Sequence, residues 1–233
     1  MKEIQRYCPL GDSGVLIVMG DRITKRTNRT VMALHRYLQE NRFPGMTESV
    51  PAYCSLAVFF DPLTIRYEAV LSELHKAESA AQADPLARHR TVEVPVVYGG
   101  EYGPDLDDLA RLKGITAEEI VKLHAGTEYT VGMIGFYPSF PYLIGLPKKL
   151  AAPRKLTPRT RVPAGSVGIA GQQTGIYPRE TPGGWQIIGR TPLLLFNVDR
   201  AWPFLFQTGD RVIFRPVSPR EFDDLVKRGD CVC

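Results

Sequence analysis

A run of basic side chains without any acidic residue stands out in the second half of the sequence, at residues 148–161. Guanidinium and ammonium groups bind carboxylates and phosphates, so the run predicts an anion-binding site, with Arg154, Arg159 and Arg161 as its candidate residues. The alternative is a solvated basic loop that binds nothing. The basic residues of the run are Lys148, Lys149, Arg154, Lys155, Arg159 and Arg161.

A glycine-rich segment follows closely, at residues 165–175. It lacks the Gly-Lys-Ser/Thr ending of a phosphate-binding P-loop and the GxGxxG pattern of a dinucleotide fold, so it predicts neither kind of nucleotide site. Turns and bulges between strands are its ordinary interpretation. Gln172 and Gln173 would lie on such turns, where their amides can line a ligand pocket.

His124 lies at the end of a predicted short helix and just before a predicted strand. A single histidine in that place is either a structural residue or a proton-transfer group, and the sequence leaves both interpretations open. The other histidines show no metal-ligand spacing, so no metal site is predicted. Cys231 and Cys233 do not form a CxxC motif and are interpreted as free thiols, with a terminal metal hook or disulfide as the alternative.

Periodicity divides the chain near residue 88. Residues 1–88 show the order β-α-β-β-α, and a strand at 91–98 either closes this unit or opens the next. The order is typical of an α+β, ferredoxin-like βαββαβ domain. The predicted strands are at 14–19, 46–50 and 53–60, and the predicted helices are at 24–40 and 63–81. Thr24 can cap the first helix, whose residues Thr27, Val31, Leu34 and Leu38 fall on one face.

Residues 89–233 combine two short helices with many short strands and abundant proline and glycine. Asp105 is predicted to cap the first helix, and Thr116 caps the second. Dense turn signals between short strands favour a barrel or a sandwich. Strands are predicted at 129–136, 185–188, 193–198 and 210–217, followed by a final helix capped by Ser218.

Charge and hydrophobicity indicate which partners and which cellular location the sequence favours. The net charge of +4 is too small to favour nucleic acid or a membrane surface as the partner. The first residues contain no apolar leader, and the uncharged run at 131–147 is shorter than the ~20 residues of a transmembrane helix. We therefore expect a cytoplasmic protein.

Several strings in the sequence resemble the family of the 5-oxoprolinase B subunit (PxpB), which is also known as the kinase inhibitor KipI and as allophanate hydrolase subunit 1. The strings are GDSGVLIVMGDRI, VPAYCSLAVFFDPL, VPVVYGGEYGPDLDDLA, GFYPSFPYLIGL, TPRTRVPAGSVGIAGQQTGIYPRETPGGWQIIGRTP and TGDRVIFRPV. They cover nearly the whole chain, and the string at 157–192 is the most specific. The chain departs from the family at Tyr137 and Ser139, where alanine and glycine are more usual.

The resemblance implies a ferredoxin-like domain at 1–88 and a C-terminal cyclophilin-like β-barrel domain at 89–233. It implies two partners, a KipA/PxpC-type subunit and a LamB/YcsF (PxpA)-type subunit. The implied reaction is the ATP-dependent opening of 5-oxo-L-proline to L-glutamate, with ATP and magnesium as co-substrate. The sequence leaves open where ATP binds.

A five-membered lactam is a poor electrophile because its amide resonance must be broken, and phosphorylating the carbonyl oxygen produces a better acyl donor. Such a site needs cations for the phosphate and the substrate carboxylate, a proton-transfer group, and hydrogen-bond partners for the lactam. The candidates are Arg154, Arg159 and Arg161 for the anions, His124 and Tyr142 for proton transfer, and Gln172 and Gln173 for the lactam amide.

The same resemblance leaves another class of function open, the inhibition of a sporulation histidine kinase. In that case the barrel would bind the dimerisation helices of the kinase, and Tyr137, Phe140 and Tyr142 would be exposed interface anchors. A role in allophanate hydrolysis is a third interpretation. The sequence does not decide between enzyme subunit and inhibitor, nor does it give the oligomeric state.

Overall fold

The computed structural model describes residues 6–81 and 90–228. The chain divides into two compact units, with the boundary between Arg88 and His89. The segment with Cys231 and Cys233 lies outside the described residues, so the interpretation of these thiols stays a prediction. No helix in the described ranges is long and apolar enough to cross a membrane.

The first unit is a four-stranded antiparallel sheet with two helices, in the strand order β1-β2-β4-β3. Its elements are β1 (Arg6–Pro9), β2 (Gly14–Val18), α1 (Lys25–Glu40), β3 (Met46–Pro51), β4 (Ser55–Phe60) and α2 (Tyr67–Ala80). Thr24 caps α1 by accepting a hydrogen bond from the Thr27 amide, as the sequence predicts. Val31, Leu34 and Leu38 recur at helical spacing and bury one face of α1 in the core.

The strand that would complete a ferredoxin-like sheet lies elsewhere. Residues 91–98 form a strand of the second unit, and β1, which the sequence pattern did not indicate, takes the edge position beside β2. The reason is burial, since residues 94–97 are buried without alternation, as in a strand covered on both faces. The first unit therefore has the predicted βαββα order preceded by the unpredicted strand β1, and its ferredoxin-like assignment stays a prediction.

The second unit contains a closed barrel of seven strands. Its elements are β5 (Thr91–Tyr98), α3 (Leu106–Lys113), α4 (Ala117–Ala125), β6 (Glu128–Ile134), β7 (Pro141–Ile144), β8 (Arg159–Val162), β9 (Ser166–Ala170), β10 (Gln173–Ile176), β11 (Thr181–Gly183), β12 (Gln186–Arg190), β13 (Arg211–Pro216) and α5 (Pro219–Lys227). The barrel order is β10-β7-β6-β13-β5-β12-β9, and only β13 and β5 are parallel among these described pairs. The α+β prediction is confirmed at the coarser level of a chain that mixes helices and strands and contains a closed β-barrel, and the cyclophilin-like assignment stays a prediction.

Apolar side chains from the strands fill the barrel, among them Val131, Leu143 and Ile169. Leu109 of α3 and Ile120 of α4 pack into the same core, so the two short helices belong to the barrel unit. The predicted caps hold for the second and third helices of this unit. Thr116 accepts from the Glu119 amide and Ser218 accepts from the Glu221 amide.

The predicted strand at 193–198 is wrong. The chain reverses within residues 197–203, where the Asn197 amide donates to the Pro203 carbonyl. In place of a strand, this segment forms an isolated bridge between Phe196 and Phe204. These β-favouring residues therefore form a short hairpin held by one isolated bridge, and they do not form an extended strand.

Gly103 lets the chain before α3 approach strand β12 closely. A Cβ at this position would overlap the carbonyl group of Ile188. Replacing Gly103 with alanine should therefore destabilise the barrel unit by about 2–4 kcal/mol, measured by urea unfolding of the full chain. Gly100→Ala is the matched control, because open space surrounds that position and only its positive φ opposes the substitution. Equal losses for the two variants would contradict the close-packing account.

Candidate functional site

Asp105, immediately before helix α3, is the centre of an ion-pair network. Its side chain is only 1% exposed, and its carboxylate accepts two hydrogen bonds from the Arg159 guanidinium at 2.6 and 2.8 Å. Lys155 donates to the same carboxylate at 2.6 Å, and the Ile187 amide donates at 2.7 Å. The position of Asp105 at the helix start was predicted, but its side chain makes no capping bond and pairs with the basic loop.

The network fixes the charge of Asp105. Burial opposes ionisation of this carboxyl, but the hydrogen bonds from Arg159, Lys155 and Ile187 outweigh burial and hold its pKa below the usual range. A carboxylate with two cations leaves one net positive charge, which is spread over partly buried groups. Arg159 is therefore a structural residue that anchors the loop, and its guanidinium faces Asp105.

The other two predicted arginines differ from each other. Arg161 is exposed and pairs with Glu180 at 2.8 Å on the protein surface. Arg154 is also exposed, and no carboxylate lies at ion-pair distance from it within the described part of the chain. Arg154 is thus the member of the predicted anion site that keeps its charge available for a ligand.

An aromatic cluster lies beside Arg154 on the barrel wall. Phe140 is its hub, with ring centroids 4.7 Å from Tyr142, 5.2 Å from Tyr177 and 5.5 Å from Trp185. Val162 of β8 packs on the same cluster, so the small β8–β11 sheet covers part of it. The cluster thus offers apolar ring surface next to Arg154, whose guanidinium itself is exposed to solvent.

The charge of Arg154 acts on two phenols of this cluster. Burial raises the pKa of Tyr142, and the nearby Arg154 guanidinium partly offsets that rise. Burial likewise raises the pKa of Tyr177 to about 12, with opposing effects from the Trp185 backbone and Arg154. Both hydroxyls are therefore protonated at neutral pH, and Tyr142, which is only half-buried, can donate a hydrogen bond to a ligand.

The structure places His124 on the opposite side of the barrel wall. Tyr142 is the strand partner of Gly175, and the next pair along the two strands is Leu143 with Thr174. Successive side chains alternate between faces, and Thr174 hydrogen-bonds His124 inside the barrel. The two residues predicted for proton transfer, His124 and Tyr142, are therefore not brought together.

His124 belongs to a chain of hydrogen bonds in which both of its ring nitrogens have a protein partner. The Thr174 hydroxyl donates to the Gly168 carbonyl at 2.9 Å, so it accepts from His124 Nε2–H at 3.0 Å. His124 Nδ1 then accepts from the Tyr98 hydroxyl at 2.8 Å. Burial lowers the pKa of His124 to about 3, so the ring is neutral. With no exposed surface and both nitrogens occupied, His124 can transfer a proton to a ligand only if these bonds open.

Gln172 and Gln173 lie at the hairpin that joins β9 and β10. Gly171, with φ of +58°, permits the tight turn, and the Gln173 side chain follows the same face as Gly175, towards the aromatic cluster. Two backbone bonds between Ala152 and Gly171 attach the basic loop to this turn. The structure therefore brings Gln172 and Gln173 to the same region as Arg154.

The loop before β7 carries backbone strain. Phe136 and Ser139 are non-glycine residues with positive φ, +65° and +73°. The Ser139 hydroxyl donates to the Leu195 carbonyl at 2.6 Å, which holds this residue at a position where the resemblance leads one to expect glycine. Arg179 lies 5.5 Å from the centre of the half-buried Tyr137 ring.

The prediction that Phe140 is an exposed interface anchor is wrong, because the ring is 1% exposed at the centre of the aromatic cluster. Phe136, which the sequence reasoning passed over, is the exposed aromatic residue of this loop at 64%. Asp105 and Tyr177 were missed as well. Asp105 was predicted only as a helix cap. The acid-free basic run at 148–161 could have indicated that a distant carboxylate pairs with it, but the sequence does not show which one.

The family model for the carboxyltransferase domain, subdomains C and D, matches residues 5–206. This chain therefore belongs to the family of proteins with that domain, and its relatives support the resemblance to the B subunit of 5-oxoprolinase. It is 43% identical to the 5-oxoprolinase B subunit of Bacillus subtilis (strain 168) over 223 residues, which are 91% of this chain and 93% of the relative. The identity to the 5-oxoprolinase B subunit of Haemophilus influenzae is 44%, over 88% of this chain and 95% of the relative.

Solved structures agree with the fold. The crystal structure of TTHA0988 superposes with a TM-score of 0.78 and 36% identity over 88% of this chain. This chain spans only 40% of TTHA0988, so that protein contains a large part with no counterpart here.

Replacing Asp105 with asparagine should remove the charge that pairs Lys155 and Arg159. We expect a loss of about 3 kcal/mol in the free energy of unfolding at pH 7, because two partly buried cations lose their counter-charge. The pKa of Asp105 is lowered in the folded state, so the advantage of the wild type should decline as the pH falls below about 4. Urea unfolding of the wild type and of Asp105→Asn at several pH values measures this difference in stability.

Glu180→Gln is the matched control, since it neutralises the carboxylate of the exposed Arg161 pair. Its unfolding midpoint should stay close to that of the wild type. A loss for Asp105→Asn that is no larger than that of Glu180→Gln would show that the buried network does not anchor the loop.

His124 should make the barrel less stable in mild acid. The unfolded histidine binds a proton near pH 6.5, whereas the folded one does so only near its pKa of about 3, so protonation favours the unfolded state. The difference in unfolding free energy between wild type and His124→Gln should therefore be about 2 kcal/mol smaller at pH 5 than at pH 7. A difference that does not change with pH would mean that the ring is accessible to protons in the folded protein.

Proposed function

We propose that this protein is a non-autonomous subunit of an ATP-dependent 5-oxoprolinase, which opens 5-oxo-L-proline to L-glutamate. The observation that carries the proposal is the match to relatives named as the B subunit of 5-oxoprolinase, at 39–44% identity over roughly nine-tenths of the chain. Its partners in this proposal are a KipA/PxpC-type subunit and a LamB/YcsF (PxpA)-type subunit. The complex would work in the cytoplasm.

The region around Arg154 suits the substrate. 5-Oxoproline has one carboxylate and a small ring with an amide. Arg154 offers a guanidinium that pairs with a carboxylate in two parallel hydrogen bonds. The aromatic cluster offers apolar contact for the ring, and Gln172 and Gln173 offer amide partners for the lactam.

Tyr142 takes the proton-transfer role in this proposal. Its hydroxyl lies near Arg154 and remains protonated at neutral pH, so it can donate to the lactam carbonyl oxygen or to the phosphate formed on it. His124 takes no direct part, because it is sealed on the other side of the wall. Arg159 and Lys155 hold the loop by their bonds to Asp105.

ATP and magnesium would meet this substrate in the assembled complex. The residues around Arg154 supply few positive charges for a nucleotide triphosphate, because Asp105 neutralises part of the basic run and Glu180 pairs with Arg161. We therefore propose that partner subunits contribute most of the contacts to the ATP phosphates. Phosphorylation of the lactam oxygen would then occur at a shared site.

The test is co-expression of the three subunits, followed by measurement of glutamate released in the presence of 5-oxoproline and ATP. The wild-type complex should release glutamate. Arg154→Ala should lower kcat/KM for 5-oxoproline by about 30- to 100-fold, since a hydrogen-bonded charge pair contributes roughly 2–3 kcal/mol. Arg161→Ala, which changes an exposed pair in the same loop, is the matched control and should stay within about twofold of the wild type.

Two results would contradict the proposal. The absence of glutamate release from a stable three-subunit complex would exclude the reaction. Release that responds equally to Arg154→Ala and Arg161→Ala would leave the reaction standing and exclude Arg154 as the carboxylate partner.

A further inference from the structure

The backbone around Arg154 is bonded on both sides to the chain where strand β12 begins. The Gln186 side-chain amide donates a hydrogen bond to the Pro153 carbonyl at 3.0 Å. The Lys155 amide donates to the Gly184 carbonyl at 2.7 Å. One of these bonds therefore precedes Arg154 in the chain, and the other follows it.

These two bonds restrain the direction of the Arg154 side chain. A peptide group is planar, so a hydrogen bond to its carbonyl or to its amide orients the whole group. The Pro153 carbonyl belongs to the peptide group before the Arg154 Cα, and the Lys155 amide belongs to the group after it. Together the two groups determine where the Arg154 Cβ points. Because the exposed side chain has many rotamers, this direction decides which region its charge can reach.

The segment at 184–187, which makes these bonds, is itself anchored in two places. The Trp185 ring is 5% exposed and lies in the aromatic cluster, 5.5 Å from Phe140 between ring centroids. The Ile187 amide donates to the buried Asp105 carboxylate at 2.7 Å. The segment thus connects the aromatic cluster to the ion-pair network, and it is a fixed support for the backbone of the basic loop.

Gln186 makes its bond to this loop with a side chain, so the bond depends on the identity of the residue. The bond from Lys155 joins two backbone groups and survives a side-chain substitution at either end. The Pro153 carbonyl is an acceptor and needs an N–H donor at position 186, which the glutamine amide supplies. Methionine has a similar length and no such donor. The orientation of Arg154 should therefore change when Gln186 is replaced.

We infer that Gln186 is a positioning residue, which acts through Arg154 and directs the guanidinium towards the carboxylate of the substrate. The inference rests on the proposed function for the identity of that substrate, 5-oxo-L-proline. The carboxylate is not the group at which the lactam opens, so its ion pair contributes to binding before and during the reaction alike. Loss of the positioning should therefore raise KM and leave kcat nearly unchanged.

The test uses the co-expressed three-subunit complex and measures glutamate release over a range of 5-oxoproline concentrations at saturating ATP. Gln186→Met should raise KM for 5-oxoproline by about 5- to 10-fold and change kcat by less than about twofold. Gln186→Glu has the same shape with an acceptor in place of the donor, and it should raise KM at least as much. Gln207→Met is the matched control, because it makes the same change at an exposed glutamine of the same unit.

A second measurement distinguishes positioning of Arg154 from a general structural role. In an Arg154→Ala background, Gln186→Met should change kcat/KM by less than about twofold, because the side chain that Gln186 positions is absent. A loss caused by damage to the fold would be the same in both backgrounds. Urea unfolding of each isolated variant verifies that it is folded.

Four results would overturn the inference and leave the proposed function standing. They are an unchanged KM in both Gln186→Met and Gln186→Glu, an equal rise in Gln207→Met, a fall in kcat without a rise in KM, and an undiminished effect of Gln186→Met in the Arg154→Ala background. A wild-type complex that releases no glutamate is a different outcome. In that case the proposed function fails, and the inference fails with it.

Discussion

The buried carboxylate of Asp105 is the constraint on which the site region depends. It draws Arg159 and Lys155 inward and bonds the Ile187 amide of the barrel strand β12, so one side chain connects a helix start, a loop and the barrel wall. Because two cations of the basic run are used in this way, the loop is attached to the barrel wall. Arg154 then remains as the guanidinium that can receive a ligand.

The barrel wall separates two kinds of chemistry. On the inner face, His124 is neutral and completes a hydrogen-bond chain with Tyr98 and Thr174, which satisfies polar groups in an apolar core. On the outer face, Tyr142 and Arg154 lie at a partly open surface. Strand alternation alone produces the separation, since Leu143 points inward and its neighbour Tyr142 points outward.

The sequence predicted those features that depend on residues close to one another in the chain. The caps at Thr24, Thr116 and Ser218 and the amphipathic face of α1 follow from neighbouring residues, and all of them are present. It could not predict pairings over long separations. Asp105 was interpreted as a helix cap because its partner Arg159 lies 54 residues away in the sequence. Residues 91–98 were left open to either unit because the composition of a strand does not identify the strand with which it pairs.

The central claim is that Asp105 and Arg159 form one coupled anchor. A double-mutant cycle with Asp105→Asn, Arg159→Gln and the double variant, followed by urea unfolding of the full chain at pH 7, measures this coupling directly. The account predicts a coupling free energy of about 2–3 kcal/mol, because the carboxylate is buried and two hydrogen bonds join it to the partly buried guanidinium. A coupling near zero would mean that the two side chains act independently, and it would contradict the account.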